Sequence, residues 1–224
     1  MRLIAIGDIH GRDTWKQVLQ ENEWDICVFL GDYFDSFDID ADAQVKNFEE
    51  IIRLKMKGSK IVSTLMGNHD LHYLLEGERY SGYQDNPKVH ATLKRYGHHL
   101  VKACKFDELL FSHAGITKTW VANHKLDEKN IVYSINRLPL EAFKFSGTDP
   151  TGDNKEQGCL WVRPKSLEED FWGDLTQVVG HTEVEHITPV GEKFILNDAL
   201  HAGQYLYQDE NGCYLKKIQH GTTS

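Results

Sequence analysis

The sequence predicts an α/β fold, and three observations support that prediction. Between residues 2 and 66, short apolar runs of the kind found in buried strands alternate with longer segments of helical character. Each of these three apolar runs ends at a glycine followed by a polar residue. Near the end of the chain, two further strand-like segments flank Asn211-Gly212, a pair typical of tight hairpin turns.

The first elements have the order expected of a parallel sheet with crossover helices. In the second expected helix, Val45, Phe48 and Ile52 belong to one apolar stripe. Because ligands of such sheets bind outside the carboxyl ends of the strands, we expect functional residues directly after each strand. The elements are strands at 2–6, 26–30 and 60–66 and helices at 13–22 and 42–57.

The rest of the chain is less regular. We expect loops at 78–86 and 146–158, and we expect the two strands of the closing hairpin to be antiparallel additions to a second sheet. The other expected elements are a helix at 87–96, strands at 100–105 and 109–112, a mostly helical stretch at 117–145, and strands at 194–196, 204–207 and 213–218.

Size and composition suit one globular domain with a sizeable core, since the chain has 224 residues, 40% of them hydrophobic and 26% charged. No apolar run is long enough to span a bilayer and no signal peptide is evident, so we expect a cytoplasmic protein without a membrane partner. The formal charge of −9 argues against a nucleic acid partner held through its phosphates. Four scattered cysteines without a Cys-x-x-Cys pair predict reduced thiols rather than disulfides.

The polar residues that follow the strands form a ligand set for divalent metal ions. Asp8 and His10 lie two positions apart just beyond the first strand, so an extended backbone would point both side chains the same way. Asp32 follows the second strand, and its two carboxylate oxygens make it the candidate bridge between two ions. The amide and imidazole groups that would complete the second ion are Asn68, His113 and His181.

Such a set points to phosphoester hydrolysis. Two cations about 3.5–4 Å apart would acidify a water between them and clamp the phosphate. Mixed nitrogen and oxygen ligands suit Mn, Fe, Zn or Co better than Ca.

Six short motifs, which follow one another in the family's order, make the chain similar to the calcineurin-like metallophosphoesterases. More narrowly, it resembles their phosphoprotein phosphatase branch, which includes bacterial and phage Ser/Thr phosphatases and symmetrical diadenosine-tetraphosphate hydrolases. The resemblance implies a two-sheet β-sandwich with helices on both outer faces, in four layers. It also implies one domain over 1–224, with a cap-like insertion around 78–160. The motifs lie at 7–11, 31–35, 67–70, 112–115, 161–164 and 180–182.

The resemblance also implies roles for individual residues. His69 corresponds to the histidine that protonates the leaving alkoxide, and Asp35 to the carboxylate that orients it. Arg163 and Asn68 would bind the substrate phosphate. The expected cofactors are two divalent metal ions, Mn²⁺ first, with Fe, Zn, Co and Ni as alternatives.

Two positions depart from the family pattern. The family usually has arginine after the aspartate matched by Asp35, whereas this chain has Ser36. A serine cannot form a bidentate charged pair with phosphate. Either the site prefers a less charged diester or anhydride, or a cap arginine takes over, for which the candidates are Arg79, Arg95 and Arg137. The second departure is Asp70, where eukaryotic phosphatases usually have glutamate.

The leading hypothesis is therefore a phosphoesterase that hydrolyses a phosphomonoester, on a phosphoprotein or a small molecule, through a metal-activated hydroxide. The alternatives are a dinucleoside polyphosphate hydrolase and a non-catalytic metal-binding interaction module. A nuclease is disfavoured because Gly180-His181-Thr182-Glu183 lacks the second histidine of a Gly-His-x-His motif. The expected partner is a phosphorylated substrate, and the sequence does not indicate the oligomeric state.

Several other residues have weaker assignments. His72 is expected to serve local structure, and Asp198 to lie behind the metal ligands. Four aromatic side chains are expected to cover the core, with stacking on a nucleobase as the alternative: Tyr73, Tyr80, Tyr83 and Trp120.

Overall fold

The computed structural model describes residues 1–77, 79–80, 82–146, 149 and 151–219, so parts of both predicted loops and of the predicted cap lie outside the described residues. Within that part of the chain, two five-stranded sheets are flanked by helices, which confirms the predicted α/β sandwich. The strands are β1 (Leu3–Ile6), β2 (Ile26–Phe29), β3 (Ile61–Thr64), β4 (Ala103–Phe106), β5 (Leu109–Ser112), β6 (Thr176–Glu183), β7 (Thr188–Val190), β8 (Phe194–Asp198), β9 (Gln204–Asp209) and β10 (Gly212–Lys217). The α-helices are α1 (Trp15–Glu21), α2 (Ala41–Met56), α3 (Asn68–Leu71), α4 (Pro87–Tyr96), α5 (Lys118–Asn123), α6 (Ile131–Arg137) and α7 (Pro164–Glu169).

The first sheet has the strand order β10-β9-β1-β2-β3. Its strands β1, β2 and β3 are parallel, with Leu3 opposite Ile26 and Ile26 opposite Ile61, as the alternation of strands and helices predicts. Parallel strands bring their carboxyl ends to one edge, so the loops after all three meet there.

The closing hairpin belongs to this first sheet, and its predicted placement in the second sheet is wrong. Strand β9 pairs antiparallel with β1, and Leu3 lies opposite Gln208. The reason is that β9 is buried on both faces: Tyr205 and Tyr207 pack on the helix side, while Leu206 packs between the sheets. Of the two hairpin strands, β10 is the exposed one and lies at the edge of the sheet.

The second sheet has the order β4-β5-β6-β8-β7, in which β5, β6 and β8 are parallel and the two outer strands antiparallel. Strand β4 begins later than predicted because Val101 bridges to Leu65 at the end of the first sheet. Strand β7 was not predicted, since its three residues include Pro189, which suits only an edge.

Two apolar layers hold the sandwich together. Between the sheets, Val28 and Leu206 of the first sheet pack in one cluster with Phe111 and Ile195 of the second. The opposite face of the first sheet packs against α1 and α2, for example through Phe48. Each such fully buried side chain contributes about 1.5–3 kcal/mol relative to exposure.

Local signals explain most helix boundaries. The side chain of Asp40 caps α2 by accepting a hydrogen bond from the Ala43 amide, and Asn86 caps α4 in the same way. The predicted helical stretch at 117–145 is divided into α5, α6 and short 3₁₀ turns. The helices α3 and α7 are too short for a helical period to predict them. None of the helices in the described part of the chain is long and apolar enough to cross a membrane.

Candidate metal centre and active site

The loops after the parallel strands bring the predicted site residues to one end of the sandwich. Most of them line one cavity of about 410 Å³, whose wall also includes Arg12, Tyr80 and Asp198. Two predicted residues lie behind the wall: His113 is 0% exposed and Asp35 is 4% exposed. Those in the wall are Asp8, His10, Asp32, Asn68, His69, Arg163 and His181.

Four of these residues have a backbone conformation that residues other than glycine rarely adopt. Their φ angles lie in the left-handed region, where a side chain costs about 1–3 kcal/mol. Such strain persists only where the surrounding structure imposes it, and it often marks functional sites. The four are His10 (φ 40°), Asp32 (φ 50°), Asp35 (φ 62°) and His181 (φ 63°).

Each of the three predicted histidine ligands has one ring nitrogen at a backbone carbonyl. A carbonyl only accepts, so that nitrogen carries the proton, and the other nitrogen presents its lone pair elsewhere. This arrangement is usual for histidines that ligate metals. The contacts are His10 Nδ1 to Phe34 O at 2.6 Å, His113 Nδ1 to Leu30 O at 2.8 Å, and His181 Nε2 to Trp161 O at 3.1 Å.

The free lone pairs converge on other acceptors, which fits a bound cation. Asn68 Oδ1 lies 2.9 Å from His113 Nε2 and 2.8 Å from His181 Nδ1, and none of the three atoms carries a hydrogen when both rings are neutral, as metal ligands are. Asp32 Oδ2 lies 3.4 Å from His113 Nε2 and 3.8 Å from His10 Nε2. Acceptors at such distances repel one another unless a cation lies between them.

Two groups of possible ligand atoms share Asp32. One contains His10, Asp32 and His69, the other Asp8, Asp32 and His113, and the atoms of each group lie within 4.8 Å of one another. Asp32 is common to both groups, as a bridging ligand would be. The first group contains His69, the expected acid, where the sequence predicts Asp8 beside His10 and Asp32.

The charges of the site also fit cations. Asp8, Asp32, Asp70 and Asp198 are all buried, and in the described part of the chain no lysine or arginine forms an ion pair with them. Burial and the nearby Asp198 hold the pKa of Asp8 well above its usual range. Burial alone would also raise the pKa of Asp32, but the neighbouring His113 holds it well below its usual range.

Behind the cavity, Asp35 accepts three hydrogen bonds from side chains. His69 Nδ1 lies 3.0 Å from Asp35 Oδ2, which is the contact that the predicted acid and its orienting carboxylate require. His72 Nε2 lies 2.6 Å from the same oxygen, and the Tyr73 hydroxyl donates to Oδ1 at 2.5 Å. His72, which is expected to serve local structure, thus also contacts the carboxylate that holds His69, and Tyr73 bonds to the same carboxylate.

A family model described as calcineurin-like phosphoesterase matches residues 1–203. The chain belongs to this family. As a calcineurin-like phosphoesterase it is a metal-dependent hydrolase, and the structure contains groups of residues that could hold a metal ion. No curated protein matches the chain significantly.

Solved structures share the fold of this phosphoesterase at low identity. The cold-active protein-tyrosine phosphatase of a psychrophilic Shewanella species has 17% identity and a TM-score of 0.64, over 97% of this chain and 80% of that one. A protein serine/threonine phosphatase from Saccharomyces cerevisiae, similar to human PP5, has 10% identity and a TM-score of 0.62, over 100% and 81%. A metallophosphoesterase from Sphaerobacter thermophilus has 14% identity and a TM-score of 0.55, over 99% and 89%.

The phosphoesterase has two arginines in the cavity wall, and one is largely committed to the protein. Arg163 donates from Nε to Thr151 O at 3.0 Å and from Nη1 to His181 O at 3.1 Å and Thr182 Oγ1 at 3.2 Å. Its Nη2 group is the one left for a ligand. Arg12 is the second arginine, which sequence reasoning missed because no pattern distinguishes the residue after Gly11.

None of the three arginines expected to replace the missing family arginine lines the cavity, so that expectation is wrong. Arg79 pairs with Asp85, Arg95 lies on the ring of Tyr96, and Arg137 donates to the Tyr133 hydroxyl. Ser36 does not line the cavity either: its hydroxyl accepts hydrogen bonds from the amides of Asp38 and Ile39.

Asp70 fixes the loop that carries Asp32, a role that the sequence did not reveal. One carboxylate oxygen accepts from the amides of Asp32 at 3.0 Å and Gly67 at 2.8 Å, and the other from the Tyr33 amide at 3.0 Å. The backbones of Gly31 and Gly67 approach so closely that a Cβ on Gly31 would lie 2.6 Å from the Gly67 nitrogen.

We expect Gly67→Ala to destabilise this phosphoesterase and to weaken metal binding together. A Cβ at Gly67 would collide with the Asp32 carboxylate and lie 2.5 Å from the Asp32 nitrogen, where only backbone movement can relieve the clash. The loss should exceed about 3 kcal/mol in the free energy of unfolding, measured by urea denaturation.

Gly173→Ala is the matched control for this variant. Gly173 has a positive φ of 80° but nothing within 4 Å of its added Cβ, so it should lose only about 1 kcal/mol and keep its metal. Equal losses in the two variants would show that the close approach at Gly67 is unimportant.

Removing the metal should make stability fall as pH rises from 6.5 to 9. Burial would lower the pKa of both His69 and His113. Asp32 and Asp35 nevertheless raise the pKa of His69 to about 9, and Asp32 and Asp8 raise the pKa of His113 to about 9. Their contribution is thus full below about 6.5 and lost as pH rises through 9. Burial and Asp32 raise the pKa of Asp70, which acts in the same direction.

Urea denaturation in EDTA at pH 6.5, 7.5 and 8.5 measures this slope, and we expect a total fall of about 2–4 kcal/mol. Saturating Mn²⁺ should flatten it, because bound cations take over the interactions with the carboxylates. A metal-free protein whose stability increases over this range would contradict the raised pKa values.

Proposed function

We propose that this phosphoesterase uses two divalent metal ions, Mn²⁺ by preference, to hydrolyse a phosphomonoester on a phosphoprotein or a small molecule. The observation that carries the proposal is the pair of ligand groups that share Asp32. When bound, the two ions would supply an acidified water as nucleophile and neutralise charge on the phosphoryl oxygens.

The chain's own residues have separate tasks in this proposal. His69 lines the cavity and is held by Asp35, so its free ring nitrogen can give a proton to the leaving oxygen. The carboxylate keeps the proton on Nδ1 and fixes the ring orientation. Asn68 and the Nη2 group of Arg163 would donate to phosphoryl oxygens.

The proposed domain is the whole of 1–224, with 78–160 as a cap. Tyr80, Gly82, Phe145 and Thr151 come from that segment and line the cavity, which supports a role in covering the substrate. We also propose a cytoplasmic location, which the four free cysteines favour because oxidising compartments promote disulfides.

A dinucleoside polyphosphate is the second candidate substrate, favoured by the aromatic wall of the cavity. Phe37 is 84% exposed there, and the ring of Trp161 lies 4.6 Å from Tyr80 and 5.2 Å from Phe145. An exposed ring such as that of Phe37 can stack on a nucleobase, and the other three rings form an aromatic wall beside it.

Hydrolysis with added Mn²⁺ distinguishes these substrates. The panel is p-nitrophenyl phosphate, bis-p-nitrophenyl phosphate and diadenosine tetraphosphate, each assayed with and without EDTA. We expect the monoester to have the highest kcat/KM and EDTA to abolish its hydrolysis. A preference for diadenosine tetraphosphate would favour the second candidate. Bound metal without hydrolysis of any of the three would instead indicate a metal-binding interaction module.

A further inference from the structure

Arg12 lies between the active-site cavity and a second cavity. It contributes to the wall of both, and the second is lined further by Lys16, Lys46 and Glu50. The backbone of Arg12 is fixed, since its amide donates to Ile9 O at 2.8 Å and its carbonyl accepts from the Asn47 side chain at 2.9 Å. The point from which the side chain extends is therefore fixed, and Arg12 lines both cavities.

The guanidinium of Arg12 has no ion-pair or hydrogen-bond partner among the residues that the structure describes, although it is half-buried. In the active-site cavity it shares the wall with the carboxylates of Asp8, Asp32 and Asp198. Arg163, by contrast, has two nitrogens bonded to the protein. Arg12 is thus the cavity cation with its whole donor fork available.

The second cavity contains another available cation. Lys16 pairs with Glu50 at 2.6 Å and with Asp13 at 3.5 Å, so its charge is matched. Lys46 is exposed on α2 and forms no ion pair within the described part of the chain. Three cations (Arg12, Lys16 and Lys46) line this cavity against two carboxylates (Asp13 and Glu50), and this excess of positive charge in a protein of net charge −9 favours an anionic ligand at this place.

We propose that Arg12 and Lys46 form a second phosphate subsite, which binds a phosphoryl group carried by the substrate beside the one being hydrolysed. Two cations match a dianion, and the guanidinium fork matches phosphate oxygens. The substrate class is therefore a bisphosphorylated molecule, with one phosphoryl group at the metal centre and the other across the boundary at Arg12. This inference rests on the proposed function. It accounts for how the site retains anionic substrates although Ser36 stands where the family usually has arginine.

Matched substrates and variants test the subsite. Glucose 1,6-bisphosphate and glucose 6-phosphate differ by one phosphoryl group, and the readout is the ratio of their kcat/KM values with Mn²⁺. We expect a ratio of about tenfold or more in the wild type, since charged contacts of this kind contribute that much. It should fall about tenfold in Arg12→Gln, mainly through KM, and severalfold in Lys46→Gln.

Arg53→Gln is the control, because it removes the same charge from α2 but lines neither cavity. It should leave the ratio unchanged. A wild-type ratio near one, or a ratio that Arg12→Gln does not alter, overturns the subsite while the phosphoesterase assignment stands. An equal fall in Arg53→Gln also overturns it, since net charge would then be the cause.

Calorimetry separates a failure of the subsite from a failure of the proposed function. The probe is glucose 1,6-bisphosphate binding to Mn²⁺-loaded protein in a His69→Asn background, with and without Arg12→Gln. If the wild-type protein hydrolyses no phosphoester, but binding in the His69→Asn background still weakens about tenfold with Arg12→Gln, the subsite is upheld and the proposed reaction fails. Binding that does not depend on Arg12 overturns the subsite.

Discussion

Asp32→Asn should abolish the phosphoesterase activity and leave the fold intact. Asp32 belongs to both ligand groups, and an asparagine offers one neutral oxygen where a bridge needs two that share a negative charge. The amide oxygen can still accept the hydrogen bond that the His69 amide donates to Asp32 Oδ1 at 2.8 Å. We therefore expect kcat/KM to fall on the order of 10³-fold or more, about 4 kcal/mol of transition-state stabilisation.

The measurements are the metal content of the purified protein, by elemental analysis, and hydrolysis of p-nitrophenyl phosphate with added Mn²⁺. Metal content should fall below two ions per chain. Asp38→Asn is the matched control, because Asp38 lies exposed in the same loop region and outside the cavity wall. If Asp32→Asn retains its metal and its activity, Asp32 does not bridge.

The sequence predicted which residues meet at this edge because each signal is local. An apolar run stopped by Gly-Asp or Gly-Asn marks the end of a buried strand, and parallel strands then bring those ends together. The convergence of His113 and His181 on Asn68 needed only the order of the motifs.

The features that the sequence missed depend on contacts far apart along the chain. Pairing of Leu3 with Gln208 places the hairpin in the first sheet, and no local pattern encodes which sheet a hairpin joins. Likewise, whether the Arg12 guanidinium finds a partner among the described residues is a property of its surroundings. The third example is His72, whose helical spacing with Leu71 and Leu75 resembles ordinary packing, although its ring bonds to Asp35.

His69→Asn should slow the hydrolysis of esters with poor leaving groups far more than that of esters with good ones. A general acid is worth about 10²–10⁴-fold where the leaving oxygen must gain a proton, as an alkoxide does. A nitrophenolate leaves without one. Without metal, burial would lower the pKa of His69, but Asp32 and Asp35 raise it to about 9. With metal bound, the hydrogen bond to Asp35 still favours the protonated ring.

The measurement is kcat for a series of aryl and alkyl phosphates, plotted against the pKa of the leaving alcohol. We expect a shallow slope in the wild type and a steep one in His69→Asn, with the metal content unchanged. His124→Asn is the matched control, since His124 Nδ1 hydrogen-bonds to the Trp120 carbonyl and the residue does not line the cavity. An equal loss for every leaving group would mean that His69 binds the phosphate rather than protonating the leaving oxygen. Asp35→Asn should steepen the same slope, because Asp35 holds the His69 ring and its proton.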